Sequence, residues 1–261
     1  MRTLILISLS TFLLTSMAPA QTLKSPQVFA SSIEQATTIE LFTSHGCSSC
    51  PPADNWLRQF VDHPDLWSSI IPIAFHVDYW DYLGWDDEFA NADYTRRQRV
   101  YSTTPRLKSV YTPGLIVKGE EWRGFFRRTQ PDLSAGPQVG KLLLTVDDQQ
   151  ATIDFEPSQN SNPEPLIANV AILGFGIESP IGAGENRGKT LIEDFVVLGH
   201  RQTVMQNNYQ WTTKLPVTVN ANTTRRAVVA WVSSNDPAPI QATGGWLHDE
   251  PQATKQVASI E

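Results

Sequence analysis

The stretch "TTIELFTSHGCSSCPPADNWLRQF", residues 37–60, constrains the fold more than any other part of the chain. Thr38, Ile39, Leu41, Phe42 and Thr43 are β-formers in a short run closed by the turn residues Ser44 to Gly46. Pro51 and Pro52 suit the first positions of a helix, where a missing N–H costs nothing. Ala53, Trp56, Leu57, Phe60 and Val61 follow at helical spacing, and the helix should stop at His63-Pro64. The apolar run Ile70 to Val77 in "SSIIPIAFHVDYW" then fits a strand buried on both faces. Strand, helix and strand within about forty residues predict a βαβ unit with parallel strands and a right-handed crossover. Both cysteines of the chain, Cys47 and Cys50, fall in its first turn. That turn shares a sheet edge with the end of the second strand, so His76 to Trp80 should be their neighbours.

Downstream, "DDEFANADYTRRQRVYS" spaces Phe89, Ala92, Arg96 and Val100 for a mostly solvated helix. "VYTPGLIVKGEEWRGFF" predicts two strands, Leu115 to Lys118 and Glu121 to Phe125, joined at Gly119-Glu120. The breaker-rich "PDLSAGPQ", residues 131–138, marks a domain boundary. Beyond it only strands are expected: Lys141 to Val146, Ala151 to Phe155, Leu166 to Phe175, Leu191 to His200, Leu215 to Val219 and Arg226 to Val232. Residues 21–36 read as a loose entry segment. The expected organisation is a leader over 1–20, an α/β domain carrying the CxxC over 36–131, a smaller all-β sandwich-like domain over 139–235 and a tail over 236–261.

The leader reading rests on Arg2, the apolar run Leu4 to Leu14 and the A-x-A site Ala18-Pro19-Ala20, the pattern of a secretory signal peptide. It predicts an exported protein, periplasmic or secreted, with no stable membrane span once the leader is removed. Of the 20 Lys and Arg, only Arg2 lies in that segment, which leaves 19 basic against 27 acidic residues. A net charge near −8 argues against a nucleic-acid partner. "AGENRGKT", Ala183 to Thr190, matches a loose phosphate-loop pattern but precedes a strand rather than a helix, so no nucleotide is expected and the segment reads as a turn between strands.

Two cysteines separated by two residues, after a buried strand and opening a helix, fit the context of a thioredoxin-like redox motif. A helix N-terminus favours a thiolate. Cys47 is then the attacking sulfur and Cys50 the resolving one, exchanging with protein thiols or disulfides and needing no cofactor beyond the disulfide itself. Thr112 and Pro113, at the start of an apolar strand, are candidates to present backbone to an extended substrate. Glu40 in the first strand and Asp78 after the second are candidate proton relays. The competing reading is a copper- or zinc-binding protein in which Cys47 and Cys50 join His45 or His76. An inert clip is the third, weakened because so short a loop removes little chain entropy.

The segments "IELFTSHGCSSCPPAD", "FHVDYWDYLGWDDEFANADYTRRQRVY", "VYTPGLIVKG" and "GENRGKTL" resemble those of the bacterial secreted, thioredoxin-like proteins labelled domain of unknown function 1223. The resemblance runs from about Ile39 to Val232 and implies an α/β thioredoxin-like fold without assigning an activity. The sequence departs from the pattern in two places. "RRTQPDLSAGPQVG" is short and broken where family members place a helix. Glu40 lies one step from where thioredoxins keep an acid, and a one-residue offset in a strand turns a side chain to the other face.

Overall fold

The computed structural model describes residues 25–158, 165–204 and 209–248. The expected leader and half of the expected tail, residues 249–261, lie outside them. The βαβ unit forms where the sequence places it. Strand β1 (Gln27–Ala30) comes first, then β2 (Thr37–Thr43), helix α1 (Pro51–Arg58) and β3 (Ile70–His76). β2 and β3 run parallel in register from Thr37↔Ile70 to Thr43↔His76, and every residue of both is buried. α1 begins with Pro51 and Pro52, tightens into a 3-10 turn over Gln59–Asp62 and ends where His63, extended before Pro64, cannot continue it.

Helix α2 (Ala92–Ser102) is capped by Asn91, whose side chain accepts from the Asp93 N–H. Its buried face is Tyr94, Arg97, Gln98 and Tyr101, while Arg96 and Val100 face solvent. The helix is less solvated than its sequence suggests, because Arg97, Gln98 and Tyr101 turn inward and are hydrogen-bonded there. Strand β4 (Gly114–Val117) follows the cis Thr112-Pro113 bond and runs antiparallel to β2. β5 is only Glu120–Glu121, and Gly124–Arg127 form a 3-10 turn where a longer strand was expected.

The remaining strands are β6 (Gly140–Asp147), β7 (Gln150–Pro157), β8 (Ile167–Phe175), β9 (Ile177–Pro180), β10 (Thr190–Glu193), β11 (Val196–Val204), β12 (Gln210–Lys214), β13 (Arg225–Ser233) and β14 (Gln241–Trp246). The strand expected over Leu191 to His200 breaks at Asp194-Phe195, where Phe195 takes φ 62°. Leu215 to Val219 is not a strand; its neighbour β12 is. β1 and β14 are strands within segments that read as loose or patternless.

The expected α/β thioredoxin-like domain followed by a separate, smaller all-β domain is therefore corrected. Strands dominate, and one mixed sheet of eight, in the order β14-β13-β8-β11-β3-β2-β4-β5, takes strands from both sides of the 131–138 segment. Its junction is narrow: β11 runs parallel to β3 and meets it at Val196↔Ala74, with the Ala74 N–H donating to Phe195 O at 2.9 Å. That contact lies past Pro72, which has no N–H to give a neighbour. A four-stranded sheet, β1-β6-β7-β12, covers one face of β8 and β13. Alternation along those two strands divides two cores. Val170, Ile172, Val228 and Ala230 pack with Leu142, Leu144 and Ile153 under the four-stranded sheet. Ala171, Leu173, Val229 and Trp231 join Ile39, Leu41, Phe42 and Phe75 of the βαβ part. The hydrophobic core thus also crosses the junction.

Candidate functional site

Cys47 and Cys50 are joined in a disulfide. Backbone bonds wind the turn tightly: Cys47 N–H donates to Ser44 O, Cys50 N–H to Cys47 O, and Cys50 O accepts from the N–H groups of Ala53 and Asp54 as α1 begins. Both cysteines are buried, Cys47 at 1% exposure and Cys50 at 0%, whereas Ser48 and Ser49 between them are exposed. Cys47 is therefore not open to solvent as an attacking sulfur would have to be.

The turn over residues 183–190 provides the cover. Asn186, fully buried, donates from Nδ2 to His45 O at 2.8 Å and to Cys47 O at 2.9 Å. Glu185 accepts from the Ser48 N–H at 2.9 Å, and Lys189 Nζ holds Asn186 Oδ1 at 2.8 Å. Trp85 packs against Gly184 of the same turn and against Gly182 just before it. From the other side Trp80 lies on Gly46, where an added Cβ would come within 2.8 Å of Trp80 Cβ. Its indole N–H donates to Thr112 Oγ1 at 2.7 Å. Thr112 and Pro113 are tied to the cysteine turn through Trp80 in this way.

Behind the disulfide sits a buried polar cluster. His45, in the turn, and His76, at the end of β3, are edge to face with ring centroids 5.2 Å apart, joining the two histidines that the sequence places at one sheet edge. His45 Nε2 is 3.0 and 2.9 Å from the two carboxylate oxygens of Glu193. His76 Nε2 is 3.6 Å from Glu193 Oε1, and Ser179 donates to Glu193 Oε2 at 2.8 Å. Asp87 lies on the other side, with Oδ2 2.8 Å from His76 Nδ1 and Oδ1 3.3 Å from His45 Nδ1. Asp87 also accepts from the backbone N–H groups of His45 and Phe89.

Burial works against charge on His76, but Asp87, Glu193 and Asp54 outweigh it and push the imidazole up to about 9. Burial would raise Asp87 and Glu193, yet the histidines hold both carboxyls below their ordinary range. Asp54, one turn into α1 beyond Cys50, is raised to about 7 by burial and by the Glu193 carboxylate, with the two histidines opposing.

The expected proton relays lie elsewhere. Glu40 is fully buried in β2 with the opposite pleat to Thr43, on the α2 side of the sheet. There Arg97 grips it bidentately at 2.6 and 2.8 Å, and Tyr101 OH donates to it at 2.6 Å. The one-residue offset has turned its side chain away from α1. Asp78 accepts from Thr95 Oγ1 at 2.5 Å and fastens α2. Sequence reasoning missed Asn186, Glu193 and Asp87. Asp87 lies in the loop just after the second strand, but the other two are about 140 residues from the turn they touch, and no local signal could pair them.

The chain belongs to the family described as protein of unknown function (DUF1223), whose model matches residues 38–233. Among solved structures it is similar to a structural-genomics protein from Agrobacterium tumefaciens determined by X-ray crystallography, with 27% identity, a TM-score of 0.55, and coverage of 84% of this chain and 97% of that one. HBP35 of Porphyromonas gingivalis shares the fold at 14% identity and a TM-score of 0.52, over 88% of this chain and 81% of that one. No curated protein matches the chain. Among the described residues no helix is long and apolar enough to cross a membrane.

Proposed function

We propose that this is an exported thiol–disulfide oxidoreductase-like protein whose Cys47–Cys50 disulfide is presented to protein thiols when the 183–190 turn lifts. The observation that carries the reading is the disulfide at the first turn of α1, roofed by polar contacts rather than by packed core. Three hydrogen bonds, at a net worth of about 0.5–1.5 kcal/mol each, make a cover that opens at modest cost. Once it is open, a substrate thiolate attacks Cys47 Sγ. The Cys47–Cys50 bond breaks, and Cys50 leaves as a thiolate where the α1 N–H groups favour negative charge. A second substrate thiolate then attacks the substrate sulfur of the mixed disulfide and releases Cys47. Two electrons have passed to the protein, leaving a dithiol here and a disulfide on the substrate; with the opposite driving force the same steps run backward.

Replacing Cys50 by Ser leaves Cys47 without its resolving partner. Mixed disulfides through Cys47 are expected in the exported fraction, and Asn186→Ala in the same background should increase their yield. An absence of trapped partners in both variants would overturn the proposal.

A further inference from the structure

We propose that His45, His76 and Glu193 form a binding site for a divalent transition-metal cation of the Zn²⁺ class, with Asp87 orienting the His76 imidazole from behind. One ligand atom from each of the three residues lies within 4.8 Å of the others, and all three residues are buried. Two imidazoles and a carboxylate suit Zn²⁺, and three protein ligands leave one tetrahedral position for water or substrate. With bonds of 2.0–2.1 Å, ligand atoms around a tetrahedral Zn²⁺ stand about 3.3 Å apart. Glu193 oxygens already stand 2.9 and 3.6 Å from the Nε2 atoms of His45 and His76.

The second layer fits as well. Metal-bound histidines hold their other nitrogen against a carboxylate, which fixes the ring and its basicity. Asp87 does this for His76 at 2.8 Å; His45 Nδ1 accepts from the Trp85 indole N–H at 3.4 Å and stands 3.3 Å from Asp87 Oδ1. Asp87 is itself held by two backbone N–H groups, and Glu193 by Ser179.

Charge points the same way. Glu193 and Asp87 are two buried carboxylates that need positive charge beside them, and a divalent cation held between the imidazoles supplies it in place of protons. A cleft of about 140 Å³ between α1 and β10, lined by Pro51, Asp54, Arg58, Thr190, Leu191 and Glu193, lies beside the third ligand. No sulfur takes part, since both are committed to the disulfide. The site is therefore independent of the redox reading and stands if that reading fails.

The test uses the full mature chain, stripped with chelator and titrated with Zn²⁺ against a chromophoric competitor. The wild type in its oxidised form and a Cys47→Ser/Cys50→Ser variant are both expected to hold about one equivalent. Asp87→Asn should lose roughly 10–100-fold in affinity, the cost typical of removing such an outer carboxylate, and Glu193→Gln at least as much. Circular dichroism reports whether each variant folds. Should Glu193→Gln fail to fold, the Co²⁺-loaded wild type decides: tetrahedral visible bands without a sulfur charge-transfer band support the assignment. A sulfur band, loss of binding with the cysteines, unchanged affinity in Asp87→Asn, or no stoichiometric binding by the wild type would each overturn it.

Discussion

Strands β2 and β3 carry a buried polar cluster on each side, and the two are built to different rules. On the α2 side, Glu40, Arg97 and Tyr101 form a closed unit. The guanidinium takes the carboxylate with two nitrogens, donates to Pro237 O, and lies over the rings of Phe75, Tyr101 and Trp231 at 5.2–5.5 Å. One positive charge meets one negative charge. On the α1 side, Asp87, Glu193 and Asp54 share two histidines, so acid outnumbers base. A balanced, fully bonded pair holds a fold in register. An unbalanced one, next to a disulfide, has something left to bind or move.

The largest expected effect breaks the closed side. Arg97→Met strands a buried carboxylate and should cost about 3–5 kcal/mol in urea unfolding, whereas Glu40→Leu combined with Arg97→Met should recover most of it. A double variant as unstable as the single one would show that the cluster is not a self-contained pair.

Gly46→Ala acts on the open side, where the new methyl meets Trp80. The expected loss is about 1–3 kcal/mol from overpacking. Displacing Trp80 should also raise the rate at which dithiothreitol reduces the disulfide, followed by thiol labelling. Asn186→Ala should cost less, about 1–2 kcal/mol, yet raise that reduction rate by about tenfold, since 1.4 kcal/mol off the cover is a tenfold gain in open molecules. Equal reduction rates in wild type and Asn186→Ala would mean that the turn is not a cover.

The last effect returns to the α2 side and is read only in acid. Burial and the Arg97 charge depress His200, which is stacked on Trp231, to about 3 from an unfolded value of about 6.5. A histidine kept neutral in the fold contributes stability that is present above the unfolded value and lost as pH falls from about 6.5 toward 3. His200→Phe gives up the hydrogen bond to Asn169, so it should be weaker at pH 7 but lose less stability between pH 7 and pH 4. Parallel acid profiles for the two proteins would contradict this.

The parts legible in the sequence were those with two local signals in agreement. β2, α1 and β3 combined β-forming runs with a double proline and a helical apolar spacing, and each formed where expected. β14, "QATGGW", carries two glycines and no β pattern; it is a strand because β13 offers it an edge. The junction of β11 with β3 was equally invisible, since a strand's sequence does not name its partner. Glu193 was hidden for the same reason, and Glu40 was visible but had turned to the other face.

The narrow junction carries one further consequence. Where β11 meets β3, the backbone contributes a single ladder position, yet at that edge the segments before and after residue 131 are also tied by His45 to Glu193 and by Asn186 to the cysteine turn. The first tie is a contact between ionisable side chains, and the second holds the turn that carries the disulfide. Chemical state and mechanical cohesion are thus coupled: a change in what the site holds is at the same time a change in how firmly the two parts of the sheet are sewn together.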